Sequence, residues 1–406
     1  MAAQIIRGNA IALPLADNSV DLVVTSQPYY ALRSYTDGGQ HYDGQIGSEA
    51  TPGEFVDALI AATREMMRVT KPSGSIWVNL GDKYAGHSNG SGGHRALARD
   101  YRAKSMRSTD GHRIPTKSLM LLPQRYAIRC VDELGLILRA EVIWSKPNAT
   151  PESVSDRVRR SHEQWFHFTL SPRYYSAVDE IRERRPGGSC AARADKSMSP
   201  KQAKLAATGD HLFNLLGKMP GSVWSIPSEP LVVPADLGVD HFAAFPTEWP
   251  RRIITGWSPR EVCTACGQGR RPVAEASYDR EGRTTNGPQS LAQRHESPGS
   301  AVRAVRLTEI TGHACACADT SAPSLPGVVL DPFGGTGTTA LVADVLGRHG
   351  ITVDMSADYC RLATWRTSDP GQRAKAARVA KPAVRRPSGS AGQGELFRLP
   401  ARGETA

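Results

Sequence analysis

The residues best placed for chemistry form a glycine-rich turn in the last quarter of the chain. Gly334, Gly335 and Gly337 follow a strand pattern and precede a helix pattern. Glycines there let the backbone approach a ligand closely, and the amides at a helix N-terminus favour a negative group. Asp354, one strand later, is placed to bind ribose hydroxyls. The pattern favours a nucleotide-like cofactor, with a plain tight turn as the alternative.

Two familiar cofactors do not fit this turn. No lysine follows the glycines, as an ATP-binding loop requires, and the turn lies too late in the chain to open a conventional dinucleotide domain.

Four of the seven cysteines stand in two close pairs, Cys263 with Cys266 and Cys315 with Cys317. Two thiolates from each pair predict a tetrahedral Zn²⁺ site at the base of a long loop, with His313 as a substitute ligand. A shell of four thiolates leaves no open position, so this zinc is expected to be structural. Four free thiols are the alternative, because an odd cysteine count without a signal peptide argues against a disulfide framework.

The elements that position these residues alternate between strand and helix. Residues 20–26 read as a buried parallel strand, residues 54–69 as an amphipathic helix and residues 75–80 as the next strand. This unit predicts an α/β fold with a mostly parallel twisted sheet and helices on both faces. Further elements are predicted at 118–134 (helix), 137–145 (strand), from 165 (strand), 245–257 (helix), 327–333 (strand), 338–347 (helix) and 350–356 (strand).

Composition divides the chain into one domain, residues 1–368, with polar insertions at about 86–116, 177–222 and 263–317. Residues 369–406 are expected to form a disordered basic tail. The net charge of +10 favours a polyanionic partner, although a solvated basic tail would also account for much of it. No signal peptide or apolar membrane span is visible, so the chain is expected to be soluble and cytoplasmic.

The glycine-rich segment resembles the S-adenosylmethionine motif of amino-methylating DNA methyltransferases. The resemblance implies a Rossmann-like methyltransferase fold in which the cofactor is bound by Asp331, Phe333, Gly334, Gly335 and Gly337, with Asp354 at the ribose. Residues 241–246 resemble a further cofactor-contacting segment, which adds His241 and Phe242.

Ser26, Gln27, Pro28 and Tyr29 resemble the catalytic tetrapeptide of that family, usually serine or aspartate, two prolines and an aromatic. An exocyclic amine is a poor nucleophile because its lone pair is delocalised into the ring. A side-chain oxygen and a backbone carbonyl that accept its two N–H bonds localise that lone pair, and the aromatic stacks on the flipped base. The serine favours cytosine N4 over adenine N6.

Gln27 departs from the pattern, since the family has a rigid proline there. Its amide could enter the pocket, so a catalytically weak or silent DNA-binding protein is the alternative to an enzyme. An RNA or small-molecule methyltransferase is a third reading. The catalytic segment precedes the cofactor motif, which is the circularly permuted order of the β class of this family, found in bacteria and phages and in restriction-modification systems.

Double-stranded DNA is the partner that the resemblance implies, and the insertions are expected to read it. Basic candidates are Arg95, Arg99, Arg102, Lys104, Arg107, Arg157, Arg159, Arg160, Arg182, Arg184 and Arg185. In the tail, Gln393 to Phe397 resembles the short peptides that dock on bacterial sliding clamps, although so short a match also arises by chance.

Overall fold

The structure, a computed structural model, describes residues 3–31, 36–37, 40–41, 43–85, 114–183, 216–239, 244–279, 305–317, 319 and 321–379. Fourteen strands lie within these ranges: β1 (Gln4–Arg7), β2 (Val20–Ser26), β3 (Thr36–Asp37), β4 (Gln40–His41), β5 (Thr70–Leu80), β6 (Ile137–Ser145), β7 (His162–Thr169), β8 (Val223–Ser225), β9 (Glu261–Cys263), β10 (Arg271–Asp279), β11 (Val305–Ala314), β12 (Ser324–Pro326), β13 (Val328–Asp331) and β14 (His349–Asp354). The described α-helices are α1 (Pro52–Val69), α2 (Leu122–Asp132), α3 (Glu248–Trp257), α4 (Thr338–Val345), α5 (Ala357–Ser368) and α6 (Pro370–Ala377), and short 3-10 turns cover Val178–Ile181 and Ala235–Leu237.

Eight strands form the central sheet in the order β1-β14-β13-β2-β5-β7-β6-β8. All neighbours in this sheet are parallel except β7, which runs antiparallel to both β5 and β6. One core, with the buried faces of α1 and α2, lies on one side of the sheet, and a second core, with α3, α4 and α6, lies on the other. The prediction of an α/β fold with a mostly parallel sheet and helices on both faces is confirmed.

Local sequence explains the start of α1. Thr51 caps the helix, because its hydroxyl accepts from the Glu54 amide while the Glu54 carboxylate accepts from the Thr51 amide. Phe55, Leu59 and Met66, spaced for one helical face, are fully buried against the sheet. The helix begins two residues before the predicted start, since Pro52 fits the first turn.

Tryptophans fill the second core and fix α3 to the sheet. The Trp249 ring of α3 stacks on Trp165 of β7 and on Trp224 of β8, with centroid distances of 4.9 Å in both cases. Aromatic pairs at this separation add packing energy beyond the area that they bury. The N-terminal end of α3 is thereby held beside the carboxyl end of β2, and Phe245 borders the cleft described below.

Two predicted irregular regions are in fact ordered elements. Residues 370–377, expected to be disordered, form α6, which buries Ala374 and Ala376 and is tied down by the ion pairs Arg373–Asp344 and Lys375–Glu229. The third insertion, expected to lack order, contains the antiparallel pair β10 and β11. Strand β1, which pairs with β14, was not predicted.

Among the described residues, no helix has both the length and the apolar character needed to cross a membrane.

Candidate active site

A cleft opens at the carboxyl ends of the central strands. Neighbouring strands β2 and β13 are in parallel register, with Val23 opposite Leu330, so the segments that follow them meet at one edge of the sheet. The cleft has a volume of about 1040 Å³. The sequence-predicted residues on its wall are Ser26, Gln27, Pro28, Tyr29, Phe333, Gly334, Gly335 and Asp354.

Ser26 is oriented by the strand beside it. Asn79 of β5 lies opposite Ser26, and the Ser26 hydroxyl donates to Asn79 Oδ1 over 3.0 Å. The Asn79 amide nitrogen donates to the Gln164 carbonyl over 3.0 Å, which fixes the Asn79 oxygen toward Ser26. Since the Ser26 proton is engaged, the lone pairs of its oxygen are available to a donor in the cleft.

Tyr29 is held at both ends of its side chain. Its hydroxyl lies 2.9 Å from Asn79 Oδ1 and 2.7 Å from Glu163 Oε2, and its single proton can be donated to one of them at a time. Glu163 in turn pairs with Lys146. The ring lies against Gly81, where a Cβ atom would come within 2.5 Å of the Tyr29 ring. Only glycine at position 81 leaves room for this ring position.

Gln27 directs its side chain away from the cleft. The whole residue is 1% exposed, and its amide nitrogen lies 3.4 Å from the hydroxyl of Tyr126 on α2. No described residue donates to the Gln27 amide oxygen. The expectation that this amide could enter the pocket is wrong, because the amide oxygen is buried and the amide nitrogen lies against Tyr126, which does not line the cleft.

The glycines of the turn are required by close approach and by backbone angle. A Cβ atom at Gly334 would lie 1.6 Å from Thr352 Oγ1 on β14. Gly337, with φ +71°, precedes α4, and a Cβ atom there would meet Ala363 of α5 at 2.8 Å. The turn is therefore pressed between β14 and α5, which brings Gly334 and Gly335 to the cleft wall.

Asp331 lies beneath the turn instead of on the cleft wall. Its side chain is 1% exposed and accepts from the Thr25 hydroxyl (2.7 Å), the Thr339 hydroxyl (2.9 Å) and the Phe333 amide (3.1 Å). Burial raises the pKa of the Asp331 carboxyl to about 6, although these hydrogen bonds act in the opposite direction. Through these hydrogen bonds, Asp331 stabilises the conformation of the turn.

Asp354 closes the turn from the neighbouring strand. One carboxylate oxygen accepts from the Gly335 amide over 2.8 Å and the other from the Ser356 amide over 2.9 Å. Burial raises the pKa of Asp354, and the nearby charge of Asp37 adds to the shift. A carboxylate has further lone pairs, so Asp354 can also accept from a ligand in the cleft.

A buried arginine supports the same turn and was not predicted. Arg366 of α5, 3% exposed, donates to the hydroxyls of Thr336 and Thr338 over 2.6 Å each. Burial lowers the pKa of its guanidinium to about 10. Asn79, Glu163 and Arg366 contact the predicted site residues, and the sequence assigned no role to any of the three.

Several predicted residues cannot be placed or lie elsewhere. His241 and Phe242 lie outside the described residues, although Ala244 and Phe245 of the same segment border the cleft. Among the basic candidates, Arg157 and Arg160 line the cleft, whereas Arg182 binds Asp179 and the Gly217 carbonyl. Arg159 is exposed. All the other basic candidates lie outside the described residues, as does the segment 393–397.

The four paired cysteines meet in space. All four sulfurs of Cys263, Cys266, Cys315 and Cys317 lie within 4.8 Å of one another. His313 is not among them, because its Nε2 lies 2.8 Å from Glu180 Oε1. The cluster is at the amino end of β13, since Cys263 of β9 pairs with Ser324 of β12 just before β13 begins. It is therefore at the opposite end of the sheet from the cleft.

Comparison with known proteins identifies the class. The model of the N6/N4 methyltransferase family, described as DNA methylase, matches residues 20–262 and 320–364. The chain belongs to this family of DNA amino-methyltransferases. The two matched ranges leave out the segment 263–319, which contains all four clustered cysteines.

Individual relatives agree with this assignment. The chain is 33% identical over 256 residues to the Type II methyltransferase M.Cfr9I of Citrobacter freundii, covering 62% of this chain and 71% of the relative. It is 28% identical over 347 residues to the Type II methyltransferase M.SmaI of Serratia marcescens, covering 84% and 82%. The fold is similar to that of the PvuII DNA methyltransferase (cytosine-N4-specific), with a TM-score of 0.51 and 16% identity over 93% of this chain and 91% of that structure.

Proposed function

We propose that this protein transfers a methyl group from S-adenosylmethionine to an exocyclic amino group of a base in double-stranded DNA, with cytosine N4 preferred over adenine N6. One observation carries the proposal. Ser26 at the end of β2 and Tyr29 after it border the same cleft as Phe333 and Gly334, which follow β13. A base held by the first pair and a cofactor held by the second would meet in the same cavity.

The cofactor side of the cleft fits S-adenosylmethionine on its own geometry. The ring of Phe333 and the bare backbone of Gly334 and Gly335 offer a flat, closely approachable wall. Asp354, at the end of the next strand, retains acceptor capacity for ribose hydroxyls. When bound, this cofactor supplies an electrophilic methyl group. Asp331 and Gly337, assigned above to cofactor binding, would act by shaping the turn.

The base side supplies two acceptors for one amino group. The Ser26 oxygen is fixed by its bond to Asn79, and no described residue donates to the Gln27 backbone carbonyl. Accepting the two N–H bonds of a base amine would localise its lone pair toward the methyl donor and prepare loss of a proton after transfer. Tyr29, held by Gly81 and Glu163, would stack on the flipped base. Pro28 limits the freedom of the segment.

The preference for cytosine rests on Ser26 at the first position of the catalytic segment. The similarity in fold to a cytosine-N4-specific enzyme agrees with it. The similarity to Type II methyltransferases supports a role in a restriction-modification system.

The silent-protein alternative loses its main argument. It depended on a glutamine amide that blocks the pocket, and the Gln27 amide is buried beside Tyr126 instead. The carbonyl at position 27 exists whether the residue is proline or glutamine. An active enzyme is therefore the better supported conclusion.

DNA contacts are best supported along the rim of the cleft. Arg160, half-buried on the cleft wall, has no hydrogen bond or ion pair with any described residue, so it is available to a phosphate. The first insertion leaves the described chain after Ala85, next to Tyr84, which lines the cleft. The described ends of the second and third insertions lie at the opposite end of the sheet, since Tyr175 bonds both Ser73, near the start of β5, and Arg270. Target reading is accordingly expected from the first insertion and the Arg157–Arg160 segment.

The test is transfer of radiolabelled methyl from S-adenosylmethionine to mixed-sequence duplex DNA and, in a parallel reaction, to RNA, followed by nucleoside analysis. We expect label in N4-methylcytosine, and a loss of about 100-fold or more in Ser26→Ala, with cofactor binding retained. Label in N6-methyladenine would overturn the base preference alone. Label in RNA only, or no label with intact cofactor binding, would overturn the proposed function.

A further inference from the structure

Four cysteines converge in a segment that the DNA methylase family model does not cover. Cys263 ends β9 and Cys266 lies in the turn that follows, whereas Cys315 and Cys317 follow β11. We propose that these four thiolates bind one Zn²⁺ as a structural site that fastens both ends of the inserted hairpin formed by β10 and β11. This inference is independent of the methylation chemistry, because the cluster and the cleft lie at opposite ends of the sheet.

The first pair sits in a tight turn built to present two sulfurs. The Gly267 amide donates to the Cys263 carbonyl, and the Cys263 amide to the Gln268 carbonyl, both over 2.9 Å. Gly267 has φ +67°, which favours glycine at that position. The turn thereby brings the sulfurs of Cys263 and Cys266 into the group of four that lie within 4.8 Å of one another.

Of two sulfur separations in the cluster, one matches a tetrahedral thiolate shell and the other is shorter. A Zn–S bond of about 2.3 Å places neighbouring sulfurs of a tetrahedron about 3.8 Å apart. The sulfurs of Cys263 and Cys317 are 3.7 Å apart, and those of Cys315 and Cys317 are 3.1 Å apart. The second pair would have to open by about 0.7 Å to reach that tetrahedral spacing. Both separations are far from the bond of about 2.05 Å that a disulfide requires.

The donor set selects the metal and its role. Four soft thiolates favour zinc over magnesium or calcium, which prefer oxygen ligands. His313 is engaged by Glu180, so the shell among the described residues is all sulfur. A complete shell has no open position for water, and the zinc would therefore hold structure.

The hairpin explains why such a site is useful. β10 and β11 pair from Arg271 with Ala314 to Asp279 with Val305, and residues 280–304 separate the two strands in the chain. Closing a connection of this length costs conformational entropy, which a metal bound at the open end of the hairpin offsets. Contacts to the domain, such as Tyr175 to the Arg270 carbonyl, then seat the base of the hairpin.

The experiment measures metal on the full-length protein, purified without added metal or chelator. Mass spectrometry of the metal content is expected to give about one zinc per chain for the wild type. Cys315→Ala with Cys317→Ala is expected to hold less than about 0.1 zinc per chain, and its hairpin to be cleaved by trypsin at least about tenfold faster. Cys360→Ser, which changes a cysteine outside the cluster, should keep the full zinc content.

A second measurement does not depend on whether the double variant folds. Wild-type protein refilled with Co²⁺ should show the visible absorption of tetrahedral cobalt thiolate, and a mercurial reagent should release zinc in step with thiol modification. Wild-type protein that lacks zinc while all its thiols react freely would overturn the proposal. So would disulfide bonds among these four cysteines, or undiminished zinc in the double variant.

Discussion

Replacing Gln27 by methionine tests which part of this residue matters. Methionine keeps the length of the side chain but removes an amide that is 1% exposed. No described residue donates to the amide oxygen, and burying such an unpaired group costs about 1–3 kcal/mol. The bond lost is the long 3.4 Å contact from the amide nitrogen to Tyr126, worth about 0.5 kcal/mol. If the amide were flipped, its oxygen would face Tyr126 and its nitrogen would be the unpaired atom. The methionine variant is therefore expected to be more stable for either orientation of the amide.

The expected result is a free energy of unfolding that is higher by about 1 kcal/mol, and a Tm higher by about 2 °C. The rate of methyl transfer should stay within about threefold of the wild type, since the backbone carbonyl is unchanged. Urea unfolding measures the first quantity, and single-turnover transfer to duplex DNA measures the second.

Gln27→Pro is the matched control. It also keeps the carbonyl, but it removes the amide that donates to the Asn79 carbonyl over 3.2 Å, so it should lose about 1 kcal/mol of stability. A folded Gln27→Met variant that transfers methyl more than about tenfold slower would refute the reasoning, because the side-chain amide would then take part in the reaction. A less stable methionine variant would show that the amide is well satisfied in the folded state.

Three further predictions concern the turn, the base pocket and the DNA contact. Asp331→Asn should remove a pH dependence: the folded-state pKa of about 6 exceeds the ordinary 3.8, so a stabilisation of about 3 kcal/mol present below pH 4 is lost as the pH rises through 6. Unfolding at pH 4 and pH 7 should show this loss in the wild type only, and parallel curves would contradict it. Gly81→Ala should slow methylation by about 10- to 100-fold, because the added Cβ would lie 2.5 Å from the Tyr29 ring. Gly221→Ala, where no atom lies within 4 Å of the added Cβ, should methylate at the wild-type rate. Equal rates for the two variants would exclude the position of the Tyr29 ring as the cause. Arg160→Ala should reduce the salt slope of DNA binding by about 1, and exposed Arg64→Ala should leave it unchanged; an unaltered slope in both would remove Arg160 from the DNA interface.

The segments that the sequence predicts for the site border a single cleft in the structure. Ser26 and the glycines of the turn each follow an apolar strand pattern, and parallel strands bring their carboxyl ends to the same edge of a sheet. The pattern could not show the long-range support of these residues. Asn79, Glu163 and Arg366 reach the site from three other elements, and nothing local in the sequence marks which face they occupy.

The prediction of disorder for the tail failed for a different reason. Residues 370–377 have a basic, alanine-rich composition that is typical of disorder, and their side chains bury little apolar area. They form a helix because Ala374 and Ala376 are buried, with Ala376 in the second core, while Arg373 and Lys375 pair with acidic residues of other segments. The hairpin of the third insertion was missed for a similar reason, since its two strands pair across 25 intervening residues.

By itself, the sequence determined which residue types stand at the ends of which strands, because periodicity and turn chemistry act between near neighbours in the chain. Membership in the DNA methylase family followed from those motifs. The tertiary structure alone decided where each side chain points. It buried the Gln27 amide beside Tyr126, put Asp331 under the turn, and gathered four distant sulfurs at the far end of the sheet. The reason is physical: the direction of a side chain is set by packing and hydrogen-bond partners that lie far away in the chain.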